Sequence, residues 1–201
     1  MKRKQRAGPT DKFSEILDKA LQHWGKSRGA DYTVFDGIVA MRLRIVENEA
    51  QRYVEEQSRC YRLNRIVTDS DRQEAVWRII KSGIDSLRPL PTELPETVFQ
   101  ELEHLGQSDW PKAMVVPPEC YHYVILTLCY SLKSKNNKEI ADVLNMAERT
   151  LAKNRSTAVN RLAERILDWE TANLEHSASS MTLDPQRVTL HQIADQSPPH
   201  A

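Results

Sequence analysis

The chain has 201 residues, with 28 basic and 28 acidic side chains and no net formal charge. That length suits one large or two small domains with a buried core. Neutrality argues against a purely electrostatic, histone-like nucleic-acid binder, and the absence of any run of 18 apolar residues argues against a membrane span.

Residues 1–10, MKRKQRAGPT, are basic and no apolar stretch follows, so a disordered start is expected rather than a secretory signal. Asp11 or Ser14 can cap a helix running to about Trp24. Phe13, Ile16, Leu17, Ala20, Leu21 and Trp24 share one face of it, and Gly25 and Gly29 end it. Thr33–Val67 reads as one long helix with room for an interruption, its apolar positions being Val34, Ile38, Met41, Ile45 and Ala50. Arg52, Arg59, Arg62 and Arg65 form a basic run within it, interleaved with Tyr53 and Tyr61. Glu47, Glu55 and Glu56 occupy the same turns, which favours an ion-paired, solvated face over a nucleic-acid contact.

Thr68-Asp69-Ser70 is a turn and cap signal, and Asp71–Leu87 follows as an amphipathic helix. Pro89, Pro91 and Pro95 then predict an extended, acid-rich linker over 89–116, with a short helix at Glu96–Leu105. The linker divides a helical domain at 11–88 from a second domain at 117–170. Pro117-Pro118 opens that second domain, and Glu119–Leu132 is apolar enough to be a buried supporting helix. Thr171–Ala201 is polar and is expected to be a disordered tail. The predicted fold is therefore all-α.

The segment Asn136–Leu162 carries the most specific pattern. Asn136 and Asn137 are good N-cap residues, and Ile140, Ala141 and Leu144 recur at helical spacing. Asn145 tolerates the left-handed conformation that ends a helix. A second helix starts near Ala147–Thr150, with Leu151, Ala158, Val159, Leu162 and Ile166 inward. Arg149, Thr150, Lys153, Asn154, Thr157 and Arg161 then point outward. Two helices joined by so short a turn form a helix-turn-helix, whose second helix enters the DNA major groove. Cations hold phosphate, and Asn, Arg and Thr also read base edges. Lys135 and Lys138 would position the DNA backbone. Between Ser131 and Arg161 seven cations face three anions, so this neutral chain has a basic head.

These residues resemble the helix-turn-helix of the LuxR type and of the fourth region of primary sigma factors. The match rests on Lys138, Glu139, Ile140 and Ala141 in the first helix, and on Thr150, Leu151, Ala158 and Leu162 in the second. It covers roughly Glu119–Leu167. Three features depart from it. Ala147 stands where Ser or Thr usually caps the second helix, Arg155 takes a position usually apolar, and the Tyr130-to-Glu139 connection is long and lacks Gly. The segment ALQHWGKSRGADY, ending its helix at Trp24-Gly25, is similar to the opening of the smaller type of lambdoid-phage late antiterminator, the Q proteins. That likeness implies DNA binding beside a late promoter and loading onto paused RNA polymerase, although Thr33–Leu87 is longer than it leads one to expect.

The resemblance implies double-stranded DNA as a partner, with RNA polymerase or a sigma factor as a second, and is compatible with a homodimer. Two other readings stand beside it: a phage DNA-packaging adaptor like a small terminase subunit, and a helical protein-interaction module. No GxSxG, HExxH, phosphate-cradling glycine loop or supported carboxylate pair is present, so no enzyme activity and no cofactor are expected. Cys60, Cys120 and Cys129 are odd in number and fit no C-x-x-C spacing. Disulfides are not expected, a cytoplasmic setting is, and Cys120, His122 and Cys129 fit no common zinc module.

Overall fold

A computed structural model describes residues 9–26, 31–61, 65–89, 116–131 and 136–182, and among them every regular element is helical. Helix α1 spans Pro9–Lys26, a 3-10 turn Tyr32–Phe35, α2 Asp36–Val39, α3 Arg44–Tyr61 and α4 Asp69–Ser86. After a 3-10 turn at Pro118–Cys120, α5 covers Tyr121–Leu126 and widens into a π turn at Thr127–Ser131. Helix α6 is Asn137–Val143, and α7 is Glu148–Thr182. The expected linker (residues 90–115), with its Glu96–Leu105 helix, lies outside the described residues. So do residues 1–8 and 183–201.

Each long helix buries the stripe its sequence spells out. Phe13, Leu17, Ala20, Leu21 and Trp24 line one face of α1, and Ala75, Val76, Ile79, Ile80 and Ile84 one face of α4. The run Tyr123–Leu126 is buried all round, as an apolar helix without a polar face must be. Residues from 11–88 and from 117–170 meet in one continuous core, because α7 packs on α1, α3, α4 and α5 alike. A close approach falls at Gly83 of α4: a Cβ there would lie 2.5 Å from Leu162 Cδ1 of α7. Leu162 is itself fully buried, so the glycine lets the two helices touch. Ser14 of α1 donates to Asn160 Oδ1 of α7, adding a polar tie between those two helices.

The α3–α4 corner is held by one buried carboxylate. Thr68 caps α4 by accepting from the Asp71 amide, and Asp71 Oδ2 accepts in return from the Thr68 amide at 2.9 Å and hydroxyl at 2.7 Å. Arg65 adds a two-pronged pair, Nη1 to Oδ2 at 3.0 Å and Nη2 to Oδ1 at 2.6 Å. Burial opposes ionisation of Asp71, but the bonds from Thr68 and Arg65 outweigh it and hold the carboxyl below the usual aspartate range. A depressed pKa stabilises the fold above the unfolded value and loses that contribution as pH falls through the folded one. Asp71→Asn is therefore expected to lower unfolding free energy at neutral pH by about 1.5–3 kcal/mol. In denaturant titrations the gap from wild type should narrow below about pH 4.

Two expectations are adjusted. The interruption for which Thr33–Val67 left room falls between α2 and α3, where Arg42 adopts φ 51 although neither Gly nor Pro marks the place. The new helix start is completed from afar: Glu170 of α7 accepts from the Arg44 and Ile45 amides at 2.9 and 2.8 Å. A carboxylate at a helix N-terminus satisfies donors with no partner inside the helix and opposes the positive end of its dipole. The second correction concerns the tail. The chain beyond Thr171 stays helical to Thr182, and Asn173 accepts from Asn48 of α3 at 3.2 Å.

Candidate nucleic-acid interface

Helix α6 begins with a reciprocal cap. The Glu139 amide donates to Asn136 Oδ1 at 3.0 Å, and the Asn136 amide donates to Glu139 Oε2 at 3.2 Å. Ile140, Ala141, Val143 and Leu144 are buried beneath it. The helix stops because Asn145 turns left-handed, φ 48, and its short polar side chain tolerates that region better than most. The Met146 amide then returns to the Ala141 carbonyl at 2.9 Å and closes the turn.

Helix α7 begins one residue later. The Ala147 carbonyl accepts from the Thr150 and Leu151 amides at 2.8 and 3.0 Å, so Ala147 sits at the cap with a methyl group that accepts nothing. Supplying the missing acceptor by Ala147→Ser is expected to stabilise the fold by about 1 kcal/mol. Thermal melting reads that as a rise of about 2–4 °C.

The two halves of α7 do different work. Ala158, Val159, Leu162, Ala163 and Ile166 are buried in the core, and they anchor the helix from its middle onward. In the preceding turns Leu151 is the buried residue, Asn154 and Arg155 are half-buried, and the other positions are exposed. Arg149, Thr150, Lys153, Thr157 and Arg161 are exposed, and Asn154 is half-buried. Lys138 is exposed in the first turn of α6, while Lys135 lies outside the described residues. Sequence pattern thus placed the outward set of α7 well, because a buried stripe fixes the opposite face. The exception in chemistry is Thr157, whose hydroxyl donates to the Lys153 carbonyl at 3.2 Å. Its methyl group and spare lone pair remain for contact.

Charge pairing separates this face from the packed α3–α4 face around Arg52, Arg72 and Arg78. On α3 and α4, Arg52 pairs with Glu49 at 2.6 Å, and Arg78 lies 3.0 Å from Glu56 and 3.6 Å from Glu74, with its guanidinium 4.5 Å from the Tyr53 ring centre. Of the basic run, Arg52 pairs with Glu49 and Glu56 and Arg65 with Asp71, while Arg59 makes no ion pair among the described residues and Arg62 lies outside them. By contrast Lys138, Arg149, Lys153, Arg161 and Arg165 make no ion pair among the described residues. Arg161 stands close enough to His122 of α5 that, together with burial, it lowers the imidazole pKa and favours the neutral ring.

Sequence reasoning omitted one residue. Arg155 was singled out only as an oddity at a position usually apolar. Its Nη1 donates to Asn137 Oδ1 at 3.4 Å across the α6–α7 junction, and its Nε is buried without a partner. Cys129 lies against it: burial pushes that thiol up to about 11, with the Arg155 charge pulling the other way.

Elsewhere, an open groove of about 770 Å³ between α2 and α4 is lined by Asp36, Arg42, Glu47, Asp69, Arg72 and Gln73. Its polar groups are largely engaged with one another, Arg72 with Glu47 and Asp69, and Gln73 with Asp36. Among the described residues no group of three or more His, Cys, Asp or Glu side chains is placed to hold a metal ion, and no helix is long and apolar enough to cross a membrane. Comparison with protein-family models, curated proteins and solved structures finds no match to this chain.

Proposed function

We propose that the protein is a sequence-specific transcription regulator that binds double-stranded DNA by laying the first turns of α7 in the major groove. The observation that carries this reading is the contrast in pairing. Arg52, Arg72 and Arg78 on α3 and α4 are matched by carboxylates, whereas Lys138, Arg149, Lys153 and Arg161 around the α6–α7 turn are exposed and make no ion pair among the described residues. Unmatched cations on a protruding helix are an electrostatic footprint for phosphate. From Arg149 to Arg161 the helix advances about 18 Å, a length that a major groove accepts. Phosphate contacts fall to Lys138, Arg149, Lys153 and Arg161, and base-edge contacts to Thr150, Asn154 and Thr157.

The narrower reading is a late-gene antiterminator that binds near a promoter and loads onto RNA polymerase. Its support is the resemblance at Trp24-Gly25 combined with the helix-turn-helix resemblance at Lys138–Leu162. The neutral total charge fits a protein that holds DNA jointly with a second partner rather than alone. A gel shift with promoter-region duplex over a salt series tests the broad reading: log affinity should fall linearly with log salt. Readthrough of a terminator by purified polymerase, with and without the protein, tests the narrow one. Salt-independent or absent retention on duplex DNA would remove both.

A further inference from the structure

Three arginines among the described residues are half-buried: Arg72, Arg78 and Arg155. A guanidinium withdrawn from water needs a compensating anion, and two of the three have theirs. Arg72 pairs with Glu47 at 2.8 Å and with Asp69 at 2.9 Å. Arg78 lies 3.0 Å from Glu56, 3.6 Å from Glu74 and 3.7 Å from Glu49. Arg155 has no carboxylate among the described residues. Its described hydrogen bond is the long one to Asn137 Oδ1, and its Nε has no partner. Among the described residues, the half-buried arginine without a compensating carboxylate is thus the one at the junction of the two helices proposed to meet DNA.

We infer that the missing anion comes from outside: Arg155 and Asn137 together form a clasp for one DNA backbone phosphate at the α6–α7 junction. The inference rests on the DNA-binding reading and adds to it a contact that the outward face of α7 does not include. Asn137 is exposed in the first turn of α6 and already offers its carbonyl oxygen to Arg155. Its amide hydrogens are then turned over to an external acceptor, beside the remaining donors of the guanidinium fork. Arginine suits the role because the Nη end of the planar fork can hold Asn137 and a phosphate together while the enclosed Nε stays inward, which a lysine cannot do. Lys138, exposed and without an ion pair among the described residues, adds positive potential at the same end of α6.

A residue kept for an outside anion has a signature that a structural residue lacks. Removing it should relieve the free protein and weaken the complex. Arg155→Met keeps the apolar stem and deletes the fork. Its melting temperature is expected to equal or exceed that of wild type. Its affinity for a promoter-region duplex, read by fluorescence anisotropy from 50 to 300 mM salt, should fall about tenfold, and its log–log salt slope should drop by about one. Arg155→Lys should keep most of the slope and lose part of the affinity, and Asn137→Ala should lose affinity with the slope retained. An unchanged slope in Arg155→Met would overturn the clasp while leaving the DNA reading standing. A clear fall in its melting temperature would do the same, by making Arg155 structural. No salt-dependent binding by the wild-type protein would overturn both.

Discussion

Trp24→Ala is expected to lower unfolding free energy by about 3–5 kcal/mol, the range for removing a large buried aromatic. Trp24 is 4% exposed and is where three elements converge. Its ring lies 4.9 Å from Tyr32 in an edge arrangement, 5.1 Å from Phe35 and 4.6 Å from Trp77, centre to centre. It therefore ties α1 to the 3-10 turn and to α4. Such ring pairs add about 0.5–1.5 kcal/mol beyond area burial, and the alanine variant forfeits all three while leaving a cavity. Thermal melting should show a fall of about 6–20 °C, given roughly 2–4 °C per kcal/mol at this chain length. Trp24→Phe keeps part of the ring contact and should lose less than half as much. A loss under 1 kcal/mol in Trp24→Ala would mean that the cluster is not a structural centre.

The second large effect concerns DNA. Arg149→Ala combined with Lys153→Ala removes two exposed, unpaired cations one helical turn apart on α7. Each phosphate contact contributes about 0.9 to the slope of log affinity against log salt, so the double variant should lose close to two units of slope. Affinity near physiological salt should drop by roughly 10–100-fold. Both side chains are exposed and outside the core, so melting temperature should stay within 1–2 °C of wild type. Arg52→Ala is the matched control. It removes a cation that Glu49 already neutralises, and it should leave the salt slope unchanged.

What the sequence disclosed and what it concealed divide along the range of the interactions involved. The cap at Asn136 and Glu139, the left-handed Asn145 and the uncapped Ala147 are settled within four residues of chain, and all three were legible. The buried stripes of α1, α4 and the inner face of α7 were legible because period alone fixes which side faces inward. The position of the break after α2 was not. Its left-handed Arg42 is tolerated where Glu170, 126 residues away from Arg44, completes the next helix. Nor was the length of α7, where Asn48 of α3 donates to Asn173 within the stretch that the sequence reads as tail. The shared core of the two segments depends on Gly83 meeting Leu162, which no local pattern announces. The π turn at Thr127–Ser131 interrupts a stretch that reads as plain α-helix, and nothing in its residues explains it.

At the candidate interface, exposure followed from periodicity, and local pairing from the side chains one turn away. Arg52 and Lys153 each sit exposed on a helix face. They differ in that Glu49 lies one turn before Arg52, whereas the residues one turn either side of Lys153 are Arg149, Thr150, Ser156 and Thr157. Arg155 was legible as an exception and not as a contact, because its meaning depends on which carboxylates the fold brings near and which it keeps away.

The most direct measurement of the central claim is an amide chemical-shift map of the protein titrated with a promoter-region duplex. The account predicts that the largest shifts fall on Asn137–Lys138 and on Arg149–Arg161, with the ion-paired face of α3 and α4 around Arg52 and Arg78 unmoved. Shifts centred on that paired face, or none anywhere at low salt, would contradict it.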